Sequence, residues 1–186
     1  MTPATRGRRP VHRREDIVRA AVEVFREKGY ERATVRDIAA RAGMTSSGLY
    51  VHVASKQELF LEIVQPVIEE AVERMERIAA SDAALPARLR EAIVGAVSAF
   101  GAHYPEVSVY TREFFPVLET ADPELRRRYE HAWHTLVQDG IDAGVFRADA
   151  DVRVVVFGIL GMVNWMHRWY RPDGPRTVEE IGDELS

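Results

Sequence analysis

The 186-residue sequence contains no cysteine. That one absence excludes a disulfide framework, a thiolate metal site and a cysteine nucleophile together, and it is compatible with a reducing compartment. Lysine is almost absent too, at two residues, so arginine carries nearly all of the positive charge. Long apolar runs are missing: the longest uncharged one, Val154 to Met166, falls short of the roughly 20 residues that a membrane-spanning helix needs. The N-terminus is arginine-rich and lacks an apolar h-region, so it does not read as a secretory leader. The expectation is a soluble, cytoplasmic protein with no membrane partner. A glycine-rich phosphate loop, a nucleophile elbow and a zinc-protease motif are all lacking, so the sequence points away from an enzyme and implies no cofactor.

What is present is ordinary globular material, 46% hydrophobic and 29% charged, enough for a real core. The net charge of −4 hides an asymmetry. Up to Phe60 there are 12 Lys and Arg against 7 Asp and Glu; the rest of the chain has 13 against 22. A basic end on an acidic body suggests that the first third meets a polyanion.

Residues 1–10 (MTPATRGRRP) hold three arginines, no acid, two prolines and a glycine, and read as a flexible basic arm. From His12 to Lys28, Ile17, Ala20, Ala21, Val24 and Phe25 recur at helical spacing, and Gly29 closes the segment. Thr34 and Asp37 form a capping box that opens a short helix ending at Gly43. A brief turn leads to a second short segment, Thr45 to His52. Ser55 with Glu58 makes another capping box, opening a long helix past Met75. Helical periodicity continues over about Pro86–His103, Glu106–Leu118, Pro123–Ala143, Asp151–Tyr170 and Val178–Leu185. The starts are marked by Asp122-Pro123, Asp149 and a Thr177/Glu180 box, and Gly144 marks a stop. Val152–Val156 is β-branched but runs on too long without turn signals to be a strand. The fold class is all-α.

Two short helices joined by a tight turn, after a longer helix and a basic arm, have the layout of a helix-turn-helix module. The second short helix, TSSGLYVH, is small and hydroxyl-rich and can approach base edges closely. Tyr50, His52 and Lys56 sit around its end, where phosphates would run. Arg6, Arg8 and Arg9 of the arm can enter a neighbouring minor groove.

The stretch Thr34-Val35-Arg36-Asp37-Ile38-Ala39-Ala40-Arg41-Ala42-Gly43, followed by Thr45, Leu49-Tyr50, His52 and Ser55-Lys56-Gln57-Glu58-Leu59, resembles the signature of TetR-type transcription regulators. The likeness holds in order and spacing from about Asp16 to Phe60. It implies a three-helix DNA-binding head over residues 11–56 and a divergent helical body over 57–186 that dimerises and binds ligand. Carried over by position, it implies operator contacts at Thr34, Arg36, Thr45, Ser46, Ser47, Tyr50, His52 and Lys56. Two departures stand out: Val53 replaces a common Phe in the head's core, and Ser46 stands where Lys is common. Each contact has a local alternative. Tyr50 and His52 can pack, Lys56 can be an ordinary solvated lysine, and Arg36 can pair with a nearby carboxylate.

The segment Val152–Tyr170 is apolar nearly all the way round, so it needs cover on several sides, and a partner subunit is the economical cover. Gly158 and Gly161 are expected to face a close backbone or ligand. The run Asn164-Trp165-Met166-His167-Arg168-Trp169-Tyr170-Arg171-Pro172 is similar to a branch of the TetR family from lipid, steroid-ring and aromatic-acid catabolism, several members of which respond to acyl-CoA thioesters. On that reading Arg168 and Arg171 pair with phosphates, Trp165 and Trp169 stack on an adenine, and Asn164, Phe100, Tyr104, Phe114 and Trp133 complete the pocket, with Tyr110 and Phe115 as further walls. The alternative is that most of these aromatics are core or dimer interface.

The expected partners are thus double-stranded operator DNA, a second copy of the chain and a small hydrophobic effector. His131 and His134, three apart beside Glu130, lack a matching ligand on another helix, so no metal site is expected. Arg126-Arg127-Arg128 reads as a solvated face. Two alternatives stay open: another effector, aromatic or drug-like, and an activator in place of a repressor.

Overall fold

The computed structural model describes residues 14–102, 106 and 122–185. The basic arm, Tyr104, Tyr110, Phe114, Phe115 and the expected Glu106–Leu118 helix beyond its first residue lie outside them. Every regular element among the described residues is a helix. The chain divides into two compact units, residues 1–60 and 61–186.

Helix α1 (Arg14–Lys28) has Glu15 and Asp16 in its first turn and Arg26 and Lys28 in its last, the polarity that the helix dipole favours. Ile17, Ala20, Ala21, Val24 and Phe25 make its buried stripe. Helix α2 (Val35–Arg41) opens with the expected capping box: the Thr34 hydroxyl accepts the Asp37 N–H at 3.1 Å, and the Asp37 carboxylate accepts the Thr34 N–H at 3.0 Å. After it, Gly43 takes φ 69°, a left-handed turn open to glycine without strain. Thr45 then caps helix α3 (Ser46–Tyr50), accepting the Gly48 N–H at 3.1 Å. Leu49 is the residue of α3 that enters the core, beside Ile38 and Ala39 from α2 among the buried side chains of this unit.

Helix α4 (Lys56–Ala79) begins in the first unit and continues in the second. Ser55 accepts the Glu58 N–H at 3.0 Å as expected, while the Glu58 carboxylate accepts the N–H of Ala54, one residue before the cap. Pro66 lies inside the helix, where it removes one backbone donor.

In the second unit, helices α5 (Leu85–Ala102), α6 (Pro123–Asp142), α7 (Val152–Asn164), α8 (Met166–Trp169) and α9 (Val178–Leu185) join the C-terminal part of α4 around one core. Its centre is Met75, Val97, Phe100, Trp133, Leu136 and Met166. Asp122 caps α6 through the Glu124 and Leu125 N–H groups. At Gly140 a Cβ would come within 2.3 Å of the Phe146 ring, so only glycine lets the chain fold back after α6. Arg88 is buried and donates to the carbonyls of Ile78 (3.0 Å) and Ala79, closing the C-terminus of α4, and to Asp139 of α6 at 2.9 Å. The Thr177/Glu180 box opens α9 as expected.

Two boundaries differ from expectation. The cap of α7 is Asp151, which accepts the Val154 N–H at 3.1 Å, and not Asp149. The single helix expected over Asp151–Tyr170 is broken at Trp165, where the Arg168 N–H bonds three residues back to the Trp165 carbonyl at 3.0 Å. Past the break Met166 and Tyr170 are buried, while Trp165 and Trp169 are exposed.

Candidate nucleic-acid interface

The first unit is built to hold α3 with one side down and the other open. Phe25, Tyr30 and Phe60 form an aromatic trio with ring centroids 4.7–5.9 Å apart. Val53, where an aromatic was expected, is itself fully packed. Arg41 ties α2 to α1 by ion pairs with Glu23 at 2.7 Å and Glu27 at 2.6 Å. Lys28 pairs with Asp37 at 2.6 Å; this contact and the Thr34 hydroxyl hold the Asp37 carboxyl down at about 2. Arg14 donates to the His52 carbonyl and, at 3.0 Å, to Glu58, bracing the end of the α3 region against the start of α4. The Ala54 N–H and Arg14 together hold the Glu58 carboxyl below its ordinary range.

Against this scaffold the predicted contacts fall in two groups. Thr34, Arg36, Thr45, Ser47, Tyr50 and His52 are exposed, and Ser46 is half-buried. Tyr50 is 56% exposed. Arg36 has no ion pair among the described residues, whereas Arg41 and Lys28 are both paired. Arg36 is therefore a guanidinium available to an outside anion. Lys56 stands apart. Its Nζ donates to the carbonyls of Tyr30 (2.7 Å), Ala33 (3.1 Å) and Glu31 (3.3 Å), so the structure gives all three of its donors other partners. Sequence reasoning missed two residues here. Arg14 carries no local signal, because its partners lie 38 and 44 positions away. Val51 is 81% exposed beside Tyr50, an isopropyl group in an otherwise polar surface, and its place just after Leu49-Tyr50 was the available clue.

Residues 17–63 match the family described as "Bacterial regulatory proteins, tetR family", and residues 82–186 match "Tetracyclin repressor-like, C-terminal domain". The chain belongs to the TetR family. It is 32% identical over 181 residues to the HTH-type transcriptional repressor KstR2 of Mycobacterium tuberculosis, covering 92% of this chain and 88% of that protein. The solved KstR2 structure from the same organism superposes with a TM-score of 0.81 at 31% identity, covering 92% of this chain and 89% of the other. AibR in complex with isovaleryl coenzyme A and operator DNA matches with a TM-score of 0.76 at 27% identity, over 92% and 94% of the two chains. The chain carries a TetR-type helix-turn-helix head in its first unit and a TetR-type C-terminal domain in its second.

The residues expected to bind effector do not form one cluster. Phe100 and Trp133 are buried in the body core. Asn164 is half-buried. Trp165 is 59% exposed with the Arg168 guanidinium 5.6 Å from its ring centroid, and Trp169 is exposed as well. Arg171 is exposed and donates to the Tyr170 carbonyl at 2.7 Å. Tyr104 and Phe114 lie outside the described residues. Trp133 Nε1 is buried without a hydrogen-bond partner among the described residues; the Tyr129 ring stands edge-on at 6.3 Å. Burial raises the Tyr129 phenol.

Val154, Phe157, Met162, Trp165 and Trp169 expose an apolar strip along α7 and α8. A Cβ at Gly158 or Gly161 would meet nothing within 4 Å. The close neighbour expected at these glycines is thus not supplied by the described residues of the same chain. His131 and His134 are exposed, and no group of three metal-ligating side chains forms among the described residues. No described helix is long and apolar enough to cross a membrane.

Proposed function

We propose that this protein is a transcriptional repressor that docks α3 in the major groove of its operator and is released by a small hydrophobic effector of the acyl-CoA class. The observation that carries the DNA half is the split character of α3. Leu49 is buried, while Thr45, Ser47 and Tyr50 present hydroxyls to solvent. Thr45, Ser46 and Ser47 reach base edges, Arg36, Tyr50 and His52 meet phosphates, and Val51 offers its methyl groups to a thymine methyl, while Thr34, whose hydroxyl donates to Asp37 at 2.7 Å, holds the start of α2. The complex of AibR with an acyl-CoA and operator DNA supports the effector class.

At the surface, Trp165 and Arg168 supply a stacking ring and a phosphate-binding cation. The exposed apolar side chains of α7, Val154, Phe157 and Met162, are the face for a second copy of the chain, which sets two heads on half-sites about one DNA turn apart. Met162→Lys places a charge in that face, and sedimentation should show the dimer weakened to monomer; an unchanged dimer would place the interface elsewhere.

Release works by population shift: the effector favours a body arrangement whose heads no longer fit, and α4, shared by both units, carries the change. The test is a titration of the preformed DNA complex with an acyl-CoA, free coenzyme A and the free fatty acid. Release by the thioester supports the reading; release by none of the three discards the effector class and leaves the repressor.

A further inference from the structure

Lys56 is the first residue of α4, where a cation opposes the helix dipole, so its place there needs a counterweight. The structure supplies one on the opposite side. The connection between α1 and α2 turns three carbonyls, those of Tyr30, Glu31 and Ala33, toward a single spot, and Lys56 Nζ fills it at 2.7, 3.3 and 3.1 Å. The ammonium also lies 4.2 Å from the centroid of the Tyr30 ring, a member of the aromatic trio. Three converging acceptors match the three N–H groups of an ammonium, while a planar guanidinium fork does not match them.

We propose that Lys56 is a positioning residue for operator recognition and not a DNA contact: it latches the start of α4 onto the α1–α2 turn. This rests on the DNA-reading role given above to α3. The turn it holds ends at Ala33, next to Thr34, whose hydroxyl caps α2 and whose partner Asp37 is paired with Lys28. Lys56 thereby sets the start of α2, and through the Gly43 turn the pose of α3. Because Lys56 belongs to α4, any displacement of that helix pulls on the same three carbonyls.

The test compares wild type with Lys56→Arg and Lys56→Met on an operator duplex and a scrambled duplex across a salt series. A latch predicts that both variants lose about tenfold of the preference for operator over scrambled DNA. It also predicts a salt slope like that of the wild type, since no phosphate contact is removed. A phosphate contact predicts near-normal binding by Lys56→Arg. For Lys56→Met it predicts equal losses on both duplexes and a slope reduced by about 0.9 per lysine. That pattern, or unchanged preference in both variants, overturns the proposal. Amide exchange on the same proteins, free of DNA, gives an independent reading. Residues 31–36 should exchange faster in both variants while the interior of α1 stays protected, and unchanged exchange at 31–36 overturns the latch. Should the wild type show no operator preference, the DNA-reading assignment fails and amide exchange alone decides the latch. Lys56→Arg, which keeps the charge and stem, carries the test if Lys56→Met does not fold.

Discussion

Replacing Arg88 with Met should loosen the body more than any other single charge removal among the described residues. The guanidinium closes the last turn of α4 through the Ile78 and Ala79 carbonyls and reaches Asp139 on α6 at 2.9 Å, so one buried side chain joins three helices. Hydrogen bonds to a charged group contribute about 1.5–3 kcal/mol each when buried. Here Asp139 is 42% exposed and regains water once Arg88 is gone, and Met keeps most of the apolar stem in place. Taking about 1 kcal/mol for each of the three bonds gives a loss of about 3 kcal/mol. For a chain of this size that is a fall of about 6–12 °C in Tm. Asp139→Asn keeps an acceptor beside Arg88 and leaves both carbonyl bonds, so it should cost about 1 kcal/mol. Urea denaturation at one fixed protein concentration separates the two, since the proposed dimer would make apparent stability concentration-dependent. The reasoning is refuted if Arg88→Met lies within about 1 kcal/mol of wild type, or if Asp139→Asn is the more damaging change.

Three further outcomes are expected. Tyr50→Ala should weaken binding to operator and unrelated duplexes alike and flatten neither preference, as loss of a phosphate partner does; an unaltered affinity would remove Tyr50 from the interface. Arg168→Ala should leave operator binding intact while abolishing release by acyl-CoA, and unchanged release would sink its place in the effector site. Asp37, held at about 2 in the folded head against an ordinary 3.8, should contribute stability that is complete above about pH 4 and is lost as pH falls through about 2. An NMR titration of its carboxyl carbon with a midpoint near 4 would show that the Lys28 and Thr34 contacts do not persist in solution.

The head was legible in the sequence because its signals are local. The Thr34/Asp37 box expected there is realised, Gly43, where the short helix was expected to end, makes the turn, and Thr45, expected to begin the next segment, is its cap. What was illegible acts across the chain. Nothing near Lys56 shows that three carbonyls some 23–26 positions earlier will converge on it, so a lysine in a DNA-binding signature reads as a phosphate contact. The break at Trp165 leaves no mark in the pattern either: Val163, Met166 and Tyr170 are buried and Trp165 is outside at the spacing that a continuous helix would also give. Aromatic content alone could not separate Phe100 and Trp133, which are core, from Trp165 and Trp169, which face outward, because periodicity marks an apolar side and not what covers it.

The central claim is that the open face of α3, presented twice by a dimer, reads duplex DNA. The measurement that tests it most directly is selection of wild-type protein on a pool of random duplexes, followed by binding of the enriched sequence across a salt series. The account predicts an inverted repeat with half-site centres about one helical turn apart, bound with an affinity that falls steeply with salt. A pool that shows no enriched motif after selection, or a motif bound equally well by a chain carrying alanine at Thr45, Ser47 and Tyr50, would contradict it.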